Sequence, residues 1–130
     1  MKTLLSLILA LCSGLAFAQA YPNKPVRLII PFPPGGSNDV VGRAIGQQLA
    51  ERLGQGVVID NRGGAGGIIG TNEAAKAAPD GHTLLLISVA FPTSIAFNRL
   101  PPDIMKSFDP VAMLGSGPAL LVVPASSPAN

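Results

Sequence analysis

Cysteine is almost absent from this chain. Cys12 is its only cysteine, and it lies inside an apolar leader, so the remainder of the chain carries no thiol. That argues against a disulfide framework, a thiolate metal site and a cysteine nucleophile. Charge is also scarce: only 12% of residues are charged, against 48% hydrophobic. Such a balance argues against disorder. The few basic residues are scattered, with almost no aromatic residues between them, which argues against a nucleic-acid partner. The formal charge of +2 falls to +1 without Lys2, so the high isoelectric point reflects a small imbalance rather than a basic patch. There is one histidine, His82, beside a turn and with no second ligand at metal spacing; it reads as structural. The chain has no Gly-x-Ser-x-Gly elbow, no internal repeat and no paired-carboxylate constellation. Its acids, Asp39, Glu51, Asp60, Glu73, Asp80, Asp103 and Asp109, are mostly explained by caps and turns.

Residues 1–20 read as a signal peptide. Lys2 is the charged start, Leu4 to Leu11 form a short apolar run, and Ala16-Phe17-Ala18 or Ala18-Gln19-Ala20 supplies a small-residue cleavage site. The run is too short for a membrane span. Leu11 precedes Cys12 where a lipoprotein needs a small residue.

The stretch from Val26 to Gly54 organises the rest. Val26 to Ile30 is an apolar strand suited to burial on both faces. Pro31-Phe32-Pro33-Pro34-Gly35-Gly36 is a stiff turn, and Ser37 to Leu53 is a helix. Val40, Val41, Ala44, Ile45 and Leu49 recur at helical spacing and mark the expected buried stripe. Ser37 or Asn38 can cap the start, Asp39 and Arg52 suit the two ends of the helix dipole, and Gly54 suits a left-handed stop. A strand that feeds through glycines into a helix leaves unpaired N–H groups at the helix start, where an anion is favoured. These residues fit a carboxylate-binding turn and a plain proline-glycine connector equally well.

Gly54-Gln55-Gly56 turns the chain into a second strand, Val57 to Asp60, giving a β-α-β unit with parallel strands. Asn61-Arg62-Gly63-Gly64-Ala65-Gly66-Gly67-Ile68-Ile69-Gly70 follows. It fails as a dinucleotide fingerprint because Ile69 stands where the third glycine belongs, and it has no lysine for a phosphate loop. A loop able to approach a ligand closely, or a flexible connector, is what these residues allow. A helix is expected over Thr71 to Ala78, ended by Pro79, and Pro79-Asp80-Gly81 makes a turn. Thr83 to Val89 is the most apolar strand and the expected centre of the sheet. It leads into a loop, Ala90 to Ser94, in which Thr93 and Ser94, with Ser88 before them, carry hydroxyls. Three loops thus fall on the rim where open α/β sheets bind ligands. Val111 to Leu114 and Ala119 to Val123 read as two more strands, and 124–130 as a linker.

The segments YPNKPVRLIIPFPPGGSND, ERLGQGVVIDNRGGAGGIIGTNEAAKAAPDGHTLLL and SFDPVAML resemble the extracytoplasmic solute receptors of tripartite tricarboxylate transporters, the Bug family. The resemblance covers essentially the whole chain. It implies an α/β fold: a periplasmic-binding-protein-like (type II) lobe with a mostly parallel sheet flanked by helices. Residues 21–123 would be the first lobe, in part, with 124–130 leading toward a second lobe missing from this chain. It implies a periplasmic Venus-flytrap receptor that captures a small carboxylate-type metabolite for membrane transporter subunits, as a monomer at full length, with no cofactor, no metal and no enzymatic activity. Carried onto this sequence, Gly35, Gly36, Ser37, Asn38 and Asp39 are the principal ligand contacts. Gly66, Gly67 and Ile68 form a second wall, and Ser88 to Thr93 a third. Ile68 departs from the polar residue common there, His82 from tyrosine and Gly56 from proline. A truncated, nonfunctional fragment and a secreted enzyme are the competing readings.

Overall fold

The structure, a computed structural model, describes residues 21–97 and 99–117. The signal peptide expected at 1–20, the strand expected over Ala119 to Val123 and the linker expected at 124–130 lie outside the described residues.

Strand β1 (Val26–Ile30) leads to helix α1 (Ser37–Leu53), strand β2 (Val57–Asn61), a 3-10 turn (Ala65–Gly67) and helix α2 (Ile68–Ala75). Strand β3 (Thr83–Leu85), helix α3 (Ala90–Ala96) and a second 3-10 segment (Pro102–Ser107) follow. The three strands form one parallel sheet in the order β2-β1-β3. β1 is therefore the centre, not the more apolar stretch beginning at Thr83. Its position explains its burial: Val26, Ile29 and Ile30 are fully shielded from solvent.

Side chains alternate across a strand, so Leu28 and Ile30 share one face. With Leu86 they form a buried cluster, packed by Phe32, Val57, Ile59 and Leu84. Helix α1 covers this face, but not through the stripe expected from periodicity. Val40 and Val41 are exposed; Asp39, Gly42 and Gly46 are the buried positions. A Cβ at Gly42 would stand 2.5 Å from Ile30 Cδ1, and one at Gly46 2.8 Å from Ile59 Cδ1. The helix lies so close to the sheet that a side chain at either position would have to displace an isoleucine tip, and this proximity outweighs the apolar residues in choosing the buried face. Arg27 and Ile29 point to the other face, where α2 packs and Arg27 donates to Glu73 of α2 and to Asp60 of β2.

Other boundaries moved for local reasons. α2 begins at Ile68 instead of Thr71, because Gly67 at φ +97° already turns the chain into the helix. It closes early, with Lys76 and Ala77 donating to the carbonyls three residues before them. β3 stops at Leu85 instead of Val89, because its partner β1 ends at Ile30; the Leu86 N–H still reaches the Ile29 carbonyl at 3.0 Å. The expected loop from Ala90 is helix α3, which tolerates Pro92 because that residue sits in the first turn. Val111 to Leu114 is not a strand: it has no ladder partner among the described residues, and Val111 and Met113 are exposed.

Candidate functional site

The strand ends of a parallel sheet collect the loops that follow them. Here the turn after β1, the glycine turn after β2 and the segment after β3 meet at one rim. A small, shallow cleft lies there. Pro31 and Phe32 come from the first turn, Gly66 and Gly67 from the second, and Ser88, Phe91 and Ser94 from the third. Gly67 is buried in this contact: a Cβ there would lie 3.5 Å from the Pro31 carbonyl oxygen and 3.6 Å from Phe32. These are ordinary packing distances; its φ of +97° is what calls for glycine.

The start of α1 is adjacent in sequence but does not line this cleft. Gly36 is the capping residue, in extended conformation and without a side-chain cap, so neither Ser37 nor Asn38 fills that role. The Gly36 carbonyl instead accepts from the N–H groups of Asp39 and Val40, each at 3.0 Å. The acid at the third helical position reaches back past the capping residue: Asp39 Oδ2 accepts from the Gly35 N–H at 2.9 Å. Among the described residues, no acceptor meets the N–H groups of Gly36, Ser37 and Asn38. These are the unpaired donors of a 17-residue helix at the positive end of its dipole.

Asp39 is only 4% exposed. Arg43 Nε donates to its Oδ2 at 3.0 Å, and Asn61 Nδ2 donates to its Oδ1 at 3.0 Å. The hydrogen bond from Arg43, then that from the Gly35 N–H, hold the carboxyl at a pKa of about 2, against burial. Asn61 Nδ2 also reaches the Phe32 carbonyl at 3.2 Å. Arg43 is thus paired with an acid, and so is Arg62, whose Nε lies 2.8 Å from Asp60 Oδ1.

The remaining expected positions divide. Gly66, Gly67 and Ser88 are brought together in the cleft, whereas Ile68 and Thr93 lie outside its lining. The Gly67 N–H donates to the Gly64 carbonyl at 3.0 Å. Ser88 Oγ accepts from the Ala90 N–H at 3.4 Å. The Thr93 hydroxyl is held within its own helix, 3.0 Å from the carbonyls of both Val89 and Ala90. Sequence reasoning passed over Thr71 as a cleft residue. It is 2% exposed and lines the cleft beside Ser94, 7% exposed; a hydroxyl at the fourth position of a helix entered through glycine was the available signal. Among the described residues no cluster of metal-binding side chains occurs and no helix is long and apolar enough to cross a membrane.

A parallel sheet with helices on both faces, and its loops gathered at the strand C-terminal ends, is the architecture of a periplasmic binding-protein lobe. Residues 41–130 match TctC, the tripartite tricarboxylate transporter family receptor, and the chain belongs to this family. It is similar to Protein BugT of Bordetella pertussis, with 45% identity over 81% of this chain and 33% of BugT. A TctC solute-binding protein from Polaromonas, solved without ligand, superposes with a TM-score of 0.59 at 32% identity over 62% of this chain and 28% of that one. A structure described as a periplasmic transporter gives a TM-score of 0.50 at 55% identity, covering 51% of this chain and 22% of that one. The chain therefore spans about a third of the length of the curated relatives it matches.

Proposed function

We propose that this chain supplies the first-lobe half of a periplasmic solute receptor that captures a small carboxylate for a tripartite tricarboxylate transporter. The observation that carries the reading is the set of three acceptor-free N–H groups, on Gly36, Ser37 and Asn38, at the start of α1. A carboxylate there would gain charge-assisted hydrogen bonds, stronger than neutral ones. The helix dipole adds roughly 0.3–1 kcal/mol, rising to about 2 where the site is partly buried. Gly66, Gly67 and Ser88 form the neighbouring wall, with Ile68 and Thr93 at its border. The donors at the helix start are neutral, and Arg43 and Arg62 are paired with acids, whereas Arg99 Nη1 stands 3.8 Å from where a Cβ on Gly66 would lie and is the cation at the neighbouring wall. The leader at 1–20 fits export to the periplasm, and the full-length receptor acts as a monomer without cofactor.

An enzyme is the second reading. Against it, Asp39, Asp60, Glu73, Asp80 and Asp103 are each engaged in an ion pair, so five acids already serve structure. Membership in a receptor family points the same way.

The test is Gly36→Val in the full-length protein. A Cβ at Gly36 would meet only the Pro33 carbonyl oxygen, at 3.8 Å, so the fold accommodates the change while the side chain crowds the helix start. Calorimetry with citrate, malate and succinate is expected to show binding to the wild type and its loss in the variant. Unchanged affinity would remove the helix start from the site.

A further inference from the structure

We propose that Asp39 is a positioning residue of this site, one that touches no solute and instead sets the shape of the Pro31–Gly36 turn on which the free N–H groups sit. The inference rests on the carboxylate reading above and refines it.

Burial comes first. At 4% exposure Asp39 has no surface to offer a ligand, and a second carboxylate against it would be repelled. Connectivity comes next. Its two oxygens take hydrogen bonds from three different parts of the fold: Gly35 at the end of the turn, Arg43 one helical turn further along α1, and Asn61 at the last position of β2. Asn61 extends the connection to the Phe32 carbonyl, at the beginning of the turn. One carboxylate thereby ties both ends of the turn to α1 and to the neighbouring strand.

Two consequences follow for binding. Taking the Gly35 N–H into an internal bond leaves Gly36, Ser37 and Asn38 as the donors, and it fixes the backbone that carries them. Preorganised donors lose little entropy on binding, whereas a turn free to move would have to be ordered by the solute. Pairing with Arg43 also offsets the charge of the cation on α1, so at the helix start itself the donors are backbone dipoles.

The experiment compares wild type, Asp39→Asn and Asn61→Ala in the full-length protein, at a temperature where thermal melts show each fully folded. Affinity for citrate, malate and succinate is measured by calorimetry. Hydrogen exchange and the chemical shift of the Gly35 amide are followed by NMR. Asp39→Asn is expected to lose about tenfold or more in affinity together with protection of the Gly35 amide, and Asn61→Ala a smaller part of both. In the wild type the Gly35 amide shift should follow an acid titration with a midpoint at about 2. A folded Asp39→Asn protein that binds within about twofold of the wild type overturns the positioning role and leaves the carboxylate reading intact. If Asp39→Asn does not fold, unchanged affinity in Asn61→Ala with no Gly35 titration in the wild type overturns it equally. A wild type that binds none of the three probes overturns the carboxylate reading and this inference with it.

Discussion

Gly70 of α2 lies directly against the backbone of Arg62: a Cβ on Gly70 would stand 2.7 Å from the Arg62 carbonyl oxygen and 2.9 Å from Pro31 Cα. This contact brings the turn after β1, the end of β2 and the start of α2 into one layer, and it brings the walls of the candidate site together.

Gly70→Ala is therefore expected to destabilise the protein. The obstacles are backbone atoms that cannot swing aside, so the gain in helix propensity, about 1 kcal/mol, is outweighed by overpacking of roughly 1–3 kcal/mol. Gly56→Ala is the control. Nothing lies within 4 Å of its added Cβ and its φ is not left-handed, so the change should be neutral or stabilising by about 0.4–1 kcal/mol through the unfolded chain. Urea unfolding of the two variants beside the wild type checks the contrast; equal midpoints would show that the α2 contact relaxes freely.

Stability should fall in acid, and Asp39 should account for part of the fall. Hydrogen bonds from Arg43 and the Gly35 N–H depress its pKa to about 2 from the ordinary 3.8, and hydrogen bonds from Lys24 and the His82 N–H depress that of Asp80 to about 2 as well. A group with a lowered folded-state pKa stabilises the fold fully above its unfolded value and loses that contribution as pH drops through the folded one. The thermal midpoint should thus decline from near pH 4 toward pH 2. The decline should be shallower in Asp39→Asn, which has no carboxyl to titrate. Parallel declines in the two proteins would count against the Asp39 hydrogen bonds.

The Arg27 fork offers a third test. Arg27 donates from β1 to Asp60, with Nε at 2.7 Å, and to Glu73. Both acceptors hold its pKa above the usual value, Glu73 foremost. Burial pushes the Asp60 carboxyl up, but hydrogen bonds from Arg27 and Arg62 outweigh it and the net shift is downward. Replacing Arg27 by Met leaves two carboxylates sharing Arg62 alone. A loss of roughly 1.5–3 kcal/mol is expected, the range for hydrogen bonds to charged groups. Adding Glu73→Gln should recover part of it, because the repulsion between the acids is then removed. Strict additivity in this double-mutant cycle would mean that Arg27 and Glu73 are not coupled.

Much of the fold can be read from residues close in sequence. β1 and α1 occur at the expected bounds, Gly54 takes the left-handed stop at φ +66°, and the β-α-β order with parallel pairing follows from alternating strand and helix patterns. Propensity, capping and turn chemistry act over a few residues, so local sequence carries them. Family membership was legible for a similar reason, since Pro-Phe-Pro-Pro-Gly-Gly and the later glycine run are contiguous words.

The chain alone determined where the turns fall and that three of them follow strands. Only the tertiary structure decided which strand is central, that α1 meets the sheet through Gly42 and Gly46 with Val40 and Val41 outside, and that Asp39 is turned inward. Each of these depends on a neighbour 12 or more residues away: Ile30 beneath Gly42, Ile59 beneath Gly46, Asn61 against Asp39. Periodicity can rank the faces of a helix by hydrophobicity. It cannot register that side chains of the sheet reach into the space a helix Cβ would take, or that a distant amide joins a neighbouring guanidinium in making a buried carboxylate the more stable arrangement.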